Sequence, residues 1–320
     1  MEYRKLISFG KSSFVVSLPK SWVNQNKLKK GDLIYLEENG QNMILSKNEN
    51  KDAVVDKIRT INIDGKDIRL IAREVNSSYI LNYRTIILKG KEIKDRIKEI
   101  QTILQNLIAL EVMEQTSNSI VAKDFLNMEQ VSIDEVIRKM DIIARTMLKE
   151  SVQNVLRDNY ENINDRDKDV NRLYFLLYRA VLYNMEHLSA ALKRLKMTPM
   201  DLLNHQFIGF YIEGVADEAR RIARHSRNLK LSSKEKNNLM TFYGKIEQYY
   251  LDTMRAIYER DYHGSLRLSC IRESINSDLD LLEKNNVEFN FMIMVSRMRR
   301  MLSYVHSLGR MVYQGITIPE

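Results

Sequence analysis

Carboxylates recur along this sequence at a spacing that could hold a cation. Asp165 and Asp169 are four residues apart, Asp167 and Asn171 overlap them, and Glu213 and Asp217 repeat the interval. On a helix, side chains at i and i+4 share one face, so each pair can present two oxygens to a hard or borderline metal ion. A facing helix can then complete the shell. The same interval also arises by chance in any strongly charged helix, where it is only solvated surface. Other reactive patterns are missing. His187, His205, His225, His263 and His306 stand singly, with no paired histidines at ligand spacing and no serine in a glycine-flanked elbow. Gly10-Lys11-Ser12 ends like a phosphate-binding loop, but Lys5 stands where that loop needs its first glycine. Cys270 is the single cysteine, which excludes an intramolecular disulfide and a cysteine-based zinc site. With no nucleophile, base or open ligand set, the chain is expected not to be an enzyme.

Cations supply the second kind of chemistry. Arg4, Lys5, Lys11, Lys20, Lys27, Lys29 and Lys30 face only Glu2 in the first thirty residues, which accounts for most of the net charge of +8. A basic end attracts polyanions such as a nucleic-acid backbone, and it also serves plain solubility. Near the other end, Arg297, Arg299, Arg300 and Arg310 occupy the region where a second acidic pair would be needed. They read as a solvated basic face, with attraction of an anion or an acidic partner as the alternative.

These residues need elements to position them. Eleven glycines and three prolines in 320 residues are too few for a sandwich or barrel running the whole length, so most of the chain should be helical. A mean hydropathy of −0.37 and the lack of any run of about 18 apolar residues predict no membrane insertion. The mixed charges of the first residues are unlike a secretory signal, and the lone cysteine suits a reducing compartment, so a cytoplasmic location is expected.

In the first fifty residues Phe14, Val16 and Leu18 alternate, Leu18-Pro19-Lys20-Ser21-Trp22 opens a short helical turn, and Ile34 and Leu36 alternate again. Asn39-Gly40 should turn the chain into a further strand at Met43 to Ser46, and Gly31-Asp32 turns it before the third strand. So small a unit buries little core alone and predicts dimerisation. Beyond it, Thr85 to Leu88 reads as a strand, and Ile93, Ile97, Ile100, Leu104 and Leu107 as one helix face. Glu111 to Gln115 and Ile120 to Ala122 read as a strand pair. From Ser132 onward the pattern is helical throughout, with helix starts at Ser132-Glu135, Thr198-Pro199-Asp201 and Ser232-Glu235 and a last helix from Asn285-Asn286. Six long helices result, as two successive triplets. The expected class is α+β, mainly α. Its parts are a β unit at 1–48, a small α/β linker domain at 49–128, and three-helix bundles at 129–230 and 231–320.

Two segments are similar to known families. Gly10-Lys11-Ser-Ser-Phe-Val-Val-Ser-Leu-Pro-Lys-Ser-Trp22, followed by Leu28 to Ser46, resembles the AbrB, MazE and SpoVT domains, in which two chains interleave hairpins into one barrel that binds DNA. The resemblance implies a homodimer through the N-terminal domain, with Arg4, Lys5 and Lys11 as DNA contacts and Lys20, Lys29 and Lys30 adding attraction. Asp167 to Tyr174 and Phe210 to Ala223 resemble the PhoU phosphate-signalling family, which pairs two three-helix bundles and binds metal through acidic i, i+4 motifs. That resemblance implies a metal ion of unknown identity at Asp167, Asn171, Glu213 and Asp217. Both together imply an archaeal-type regulator of phosphate uptake that binds DNA. The alternative is an adaptor that docks on a phosphate transporter or a signalling protein such as a sensor kinase.

Overall fold

The computed structural model describes residues 3–39, 42–47, 57–227, 229–284 and 288–315. The chain divides into two compact units, Met1–Val55 and Asp56–Glu320, and is α+β with helix predominating.

In the first unit β1 (Ile7–Phe9) pairs antiparallel with β2 (Ser13–Val15) across a turn in which Gly10 takes φ +72°, a conformation open to glycine. Pro19 caps α1 (Lys20–Gln25), where its missing N–H costs nothing. β3 (Tyr35–Asn39) and β4 (Asn42–Ser46) form a second hairpin in register from Tyr35↔Ser46 to Asn39↔Asn42. The expected Asn39-Gly40 turn between them falls at residues 40–41, outside the described residues.

The second unit begins with a four-stranded sheet, β5 (Ile58–Asn62), β6 (Thr85–Lys89), β8 (Ser119–Asp124) and β7 (Leu110–Gln115) in that order. β5 and β6 run parallel, which demands a crossover, and α2 (Ile68–Ile80) supplies it. α3 (Ile93–Gln105) joins β6 to the antiparallel pair. Ile86, Leu88, Ile120 and Ala122 alternate inward and pack with Ile71, Val75, Tyr79, Ile100 and Leu104 from the two helices. β5 and α2 are additions to the sequence reading. Arg59 and Asn62 mask the strand's alternation, and the strand lies at the sheet edge, where all but one of its residues are exposed.

A turn of 3₁₀ helix (Met128–Gln130) leads into the helices. These are α4 (Ile133–Gln153), α5 (Tyr160–Glu186), α6 (Leu188–Leu195), α7 (Pro199–Ser226), α8 (Ser233–Glu259), α9 (Tyr262–Ser269), α10 (Ile271–Lys284) and α11 (Phe289–Gly315). Ser132 accepts the Glu135 N–H, while Thr198–Asp201 and Ser232–Glu235 each form a reciprocal capping box. Short α6 and α9 are further additions, and the Asn285-Asn286 start lies outside the described residues. Met294, Met298, Met301, Val305, Leu308 and Val312 form the buried seam of α11. α7 packs against α4, α5 and α11, and α11 packs in turn against α8, α9 and α10. One continuous apolar core therefore runs from Ile133 to Leu308. At the α7–α11 crossing Gly214 lets the Tyr304 ring approach, since a Cβ there would lie 2.9 Å from it.

Two buried polar knots tie the layers. Arg179 of α5, fully buried, donates to Asp124 (2.5 Å) and Asn82 (2.9 Å) and lies over the Tyr79 ring, joining the sheet layer to the helices. Asp141 of α4 accepts from Tyr250 (2.9 Å) and Tyr258 (2.8 Å) of α8 and pairs with Arg145. Sequence reading could not find either knot, because the partners are far apart in the chain and each is an ordinary charged or aromatic residue by itself.

Candidate functional site

The N-terminal unit has two chemistries on its surface. Arg4 and Lys5 precede β1, Lys11 follows the Gly10 turn, and Lys20 opens α1. Lys29 and Lys30 sit in a turn closed by the Lys29 N–H bond to Asp32 Oδ2 (2.7 Å) before Gly31 reverses the chain at φ +94°. All six cations are exposed. Among the described residues, Lys5, Lys11, Lys20, Lys29 and Lys30 make no ion pair, so their charge faces outward. The apolar side chains are exposed too. Phe9 (70%), Phe14 (67%), Leu33 (74%) and Leu36 (63%) are open, and no residue of this unit whose burial is described is buried. Apolar surface of this extent, with no buried residue among those whose burial is described, marks an interaction surface.

Comparison with known families bears on this unit alone. Residues 7–52 match the family described as antidote-toxin recognition MazE, bacterial antitoxin. The N-terminal domain is thus of the MazE/AbrB type. No curated protein matches the chain. A MazE/AbrB-type domain fits a DNA-binding regulator or an antitoxin, and among the described residues no helix is long and apolar enough to cross a membrane.

Three of the helical acids, Asp167, Glu213 and Asp217, lie near one another. Asp167 on α5 faces Glu213 and Asp217 on α7, and Asn171 donates to the Asp167 carbonyl (2.8 Å) and carboxylate (3.3 Å). Burial, with Asp217 and Asp167 close by, pushes the Glu213 carboxyl up to about 7. Burial also raises Asp167, against the pull of Arg220. The cation among them is a side chain the sequence reading did not place there. Arg220 Nε lies 3.0 Å from Asp167 and its Nη2 donates to Asp217 (2.6 Å), while Arg221 Nη2 holds the other Asp217 oxygen (2.6 Å). Among the described residues no group of three or more acidic, histidine or cysteine side chains is arranged to hold a metal ion. A metal bound by Asp167, Asn171, Glu213 and Asp217 would have to displace Arg220. Asp165 and Asp169 are exposed and pair with Lys168 and Arg172.

The arginines of α11 find their acids within the chain. Arg297 and Arg300 face the buried Glu218 of α7 at 3.8 and 3.6 Å, and Arg299 holds Asp280 (2.8 Å) and Glu283 (2.6 Å) of α10. Instead of a solvated basic face, these three arginines are cross-links, and Glu218 is the acid that spacing could not reveal.

Proposed function

We propose that this chain is a DNA-binding transcriptional regulator of phosphate uptake and phosphate homeostasis. In this reading it acts as a homodimer through the N-terminal domain, with the helical unit sensing or relaying phosphate status in the cytoplasm. The observation that carries the DNA-binding half is the N-terminal unit itself. Among the described residues of the segment that matches the MazE antitoxin family, Lys11, Lys20, Lys29 and Lys30 and the apolar Phe9, Phe14, Leu33 and Leu36 are exposed. A second copy would cover the apolar set and bring two sets of Arg4, Lys5, Lys11, Lys20, Lys29 and Lys30 into one structure, doubling the attraction for a phosphate backbone. The phosphate half rests on the PhoU-like resemblance of Asp167 to Tyr174 and Phe210 to Ala223, and the nearness of Asp167, Glu213 and Asp217 is compatible with it.

The test is the triple change Arg4→Ala, Lys5→Ala, Lys11→Ala. DNA affinity should fall, and the log–log dependence on salt should flatten by about 0.9 for each phosphate no longer neutralised. Unchanged affinity and slope in a folded dimer would remove these residues from the interface. Chromatin occupancy at high and low phosphate tests the second half, with focused sites near transport genes expected.

A second reading, an adaptor for a transporter or signalling protein, is favoured by an exposed stripe on α7. Met200, Leu203, Phe207 and Phe210 recur at helical spacing and remain 40–59% exposed. An adaptor predicts no focused DNA sites in the same experiment.

A further inference from the structure

Where α4, α7, α8 and α11 meet, a pocket of about 330 Å³ opens between the two helix triplets. Ile137, Ile208, Ile257 and Val312 give it an apolar lining, and Arg138, His205, Tyr258 and Arg260 bring polar groups to it. With Asp134, Asp201 and Asn204 the lining is more polar than apolar, and the cavity is large enough for a small polar organic molecule.

The charges in its wall are not balanced in kind. Its two acids are each engaged through one oxygen. Asp201 holds the Thr198 N–H (2.8 Å) and hydroxyl (2.7 Å) in the capping box of α7, and Asp134 Oδ1 lies 3.1 Å from His205 Nε2. The other ring nitrogen of His205 lies 2.6 Å from the Asp201 carbonyl. With an acceptor at each nitrogen, the ring makes both bonds only as the imidazolium, with two donors. Arg138 and Arg260, by contrast, make no ion pair among the described residues; Arg138 lies over the Tyr258 ring at 5.2 Å. Arg260 is also held in the left-handed region, φ +54°, at the end of α8. Glycine suits that position better, so a bulky cation there is placed at a cost to the fold, and its charge acts on Asp134 and Asp201 only at longer range than an ion pair.

We propose that this pocket binds a mononucleotide, its phosphate on Arg138 and Arg260 and its base on the isoleucine lining. The free oxygen of the exposed Asp134 and the side chain of Asn204 are available to the ribose hydroxyls. A ligand seated here touches α4 and α7 on one side and α8 and α11 on the other, so it links the two triplets. The site stands on the pocket alone and is independent of the DNA-binding reading.

The experiment titrates the full chain with AMP, GMP, CMP and UMP, and separately with inorganic phosphate and adenosine. Binding is followed by calorimetry and by the methyl resonances of Ile137, Ile208 and Ile257. At least one mononucleotide should saturate and shift these methyls, with phosphate and adenosine each at least tenfold weaker. Arg260→Gly should fold with an equal or higher Tm and bind at least tenfold more weakly. Arg138→Gln, a change at an exposed residue, should also weaken binding and gives the answer if the first variant fails to fold. The proposal is overturned if no mononucleotide shifts these methyls, if inorganic phosphate binds as tightly as the nucleotides, or if both folded variants bind like the wild type.

Discussion

Arg179 shows how much a single side chain can decide. Its guanidinium sits fully inside the knot with Asp124, Asn82 and the Tyr79 ring, and Arg84 reaches Asp124 at 3.2 Å from a more open position. Arg179→Met keeps the volume but leaves a buried carboxylate short of its partner, which costs on the order of 3–5 kcal/mol. Urea unfolding should show that loss, and a change below about 1 kcal/mol would mean that Arg84 alone satisfies Asp124. Glu213 carries the opposite kind of information. Its carboxyl titrates near 7 in the folded chain against an ordinary 4.5, so the folded state holds this proton more tightly than the unfolded state. Stability from this group is therefore greatest below pH 4.5, falls as pH rises from 4.5 to 7, and is flat above. The full span corresponds to roughly 3 kcal/mol as an upper bound. Glu213→Gln should remove that slope, so the variant should be the more stable protein at pH 8 in chelator-containing buffer. Parallel stability–pH curves for the two proteins would contradict the assignment.

At the scale of elements, the acidic faces of α5 and α7 and the bare hairpins of the first unit each lead to a measurement. If Asp167, Asn171, Glu213 and Asp217 take a metal, Arg220 has to leave first. Glu213→Gln with Asp217→Asn should then abolish uptake in an equilibrium titration while Arg220→Gln strengthens it. Equal uptake by all forms would place any metal elsewhere. For the hairpins, Leu36→Asp puts a charge on the exposed apolar surface of the first unit. It should convert a dimer of the full chain to monomer in sedimentation, and an unchanged dimer would move the interface away from the first unit. These elements differ in legibility. Helix starts are plain in the sequence because capping is local: Ser132, Thr198 and Ser232 each bond a backbone N–H three residues on. The α11 seam is plain because its period is strict. β5 and α6 are not, since an edge strand keeps little alternation and one short helix resembles the end of its neighbour. The acidic set is legible as spacing, yet its closure by Arg220 is not, because spacing says nothing about which cation a carboxylate meets.

Across the whole molecule, the continuous core makes the helices one object despite the repeat in their sequence. Apolar side chains from both triplets belong to a single buried cluster, and α7 packs directly on α11. Residues 133–315 should therefore unfold in one cooperative step, with amide exchange in α5 and α10 reporting the same opening free energy. Two separated transitions would show that the triplets are thermodynamically independent. The first unit follows another rule. None of its residues whose burial is described is hidden from solvent, so its order is borrowed from whatever covers it and is subject to mass action. If a second copy is what covers it, folding and assembly there are one equilibrium, and the fraction assembled depends on how many copies the cell holds. On the proposed reading, dilution would leave the first unit uncovered, and higher concentration would favour the paired form able to bind DNA. Synthesis rate alone would then set a threshold for occupancy, steeper than simple proportion because two chains must meet, before any effector is bound.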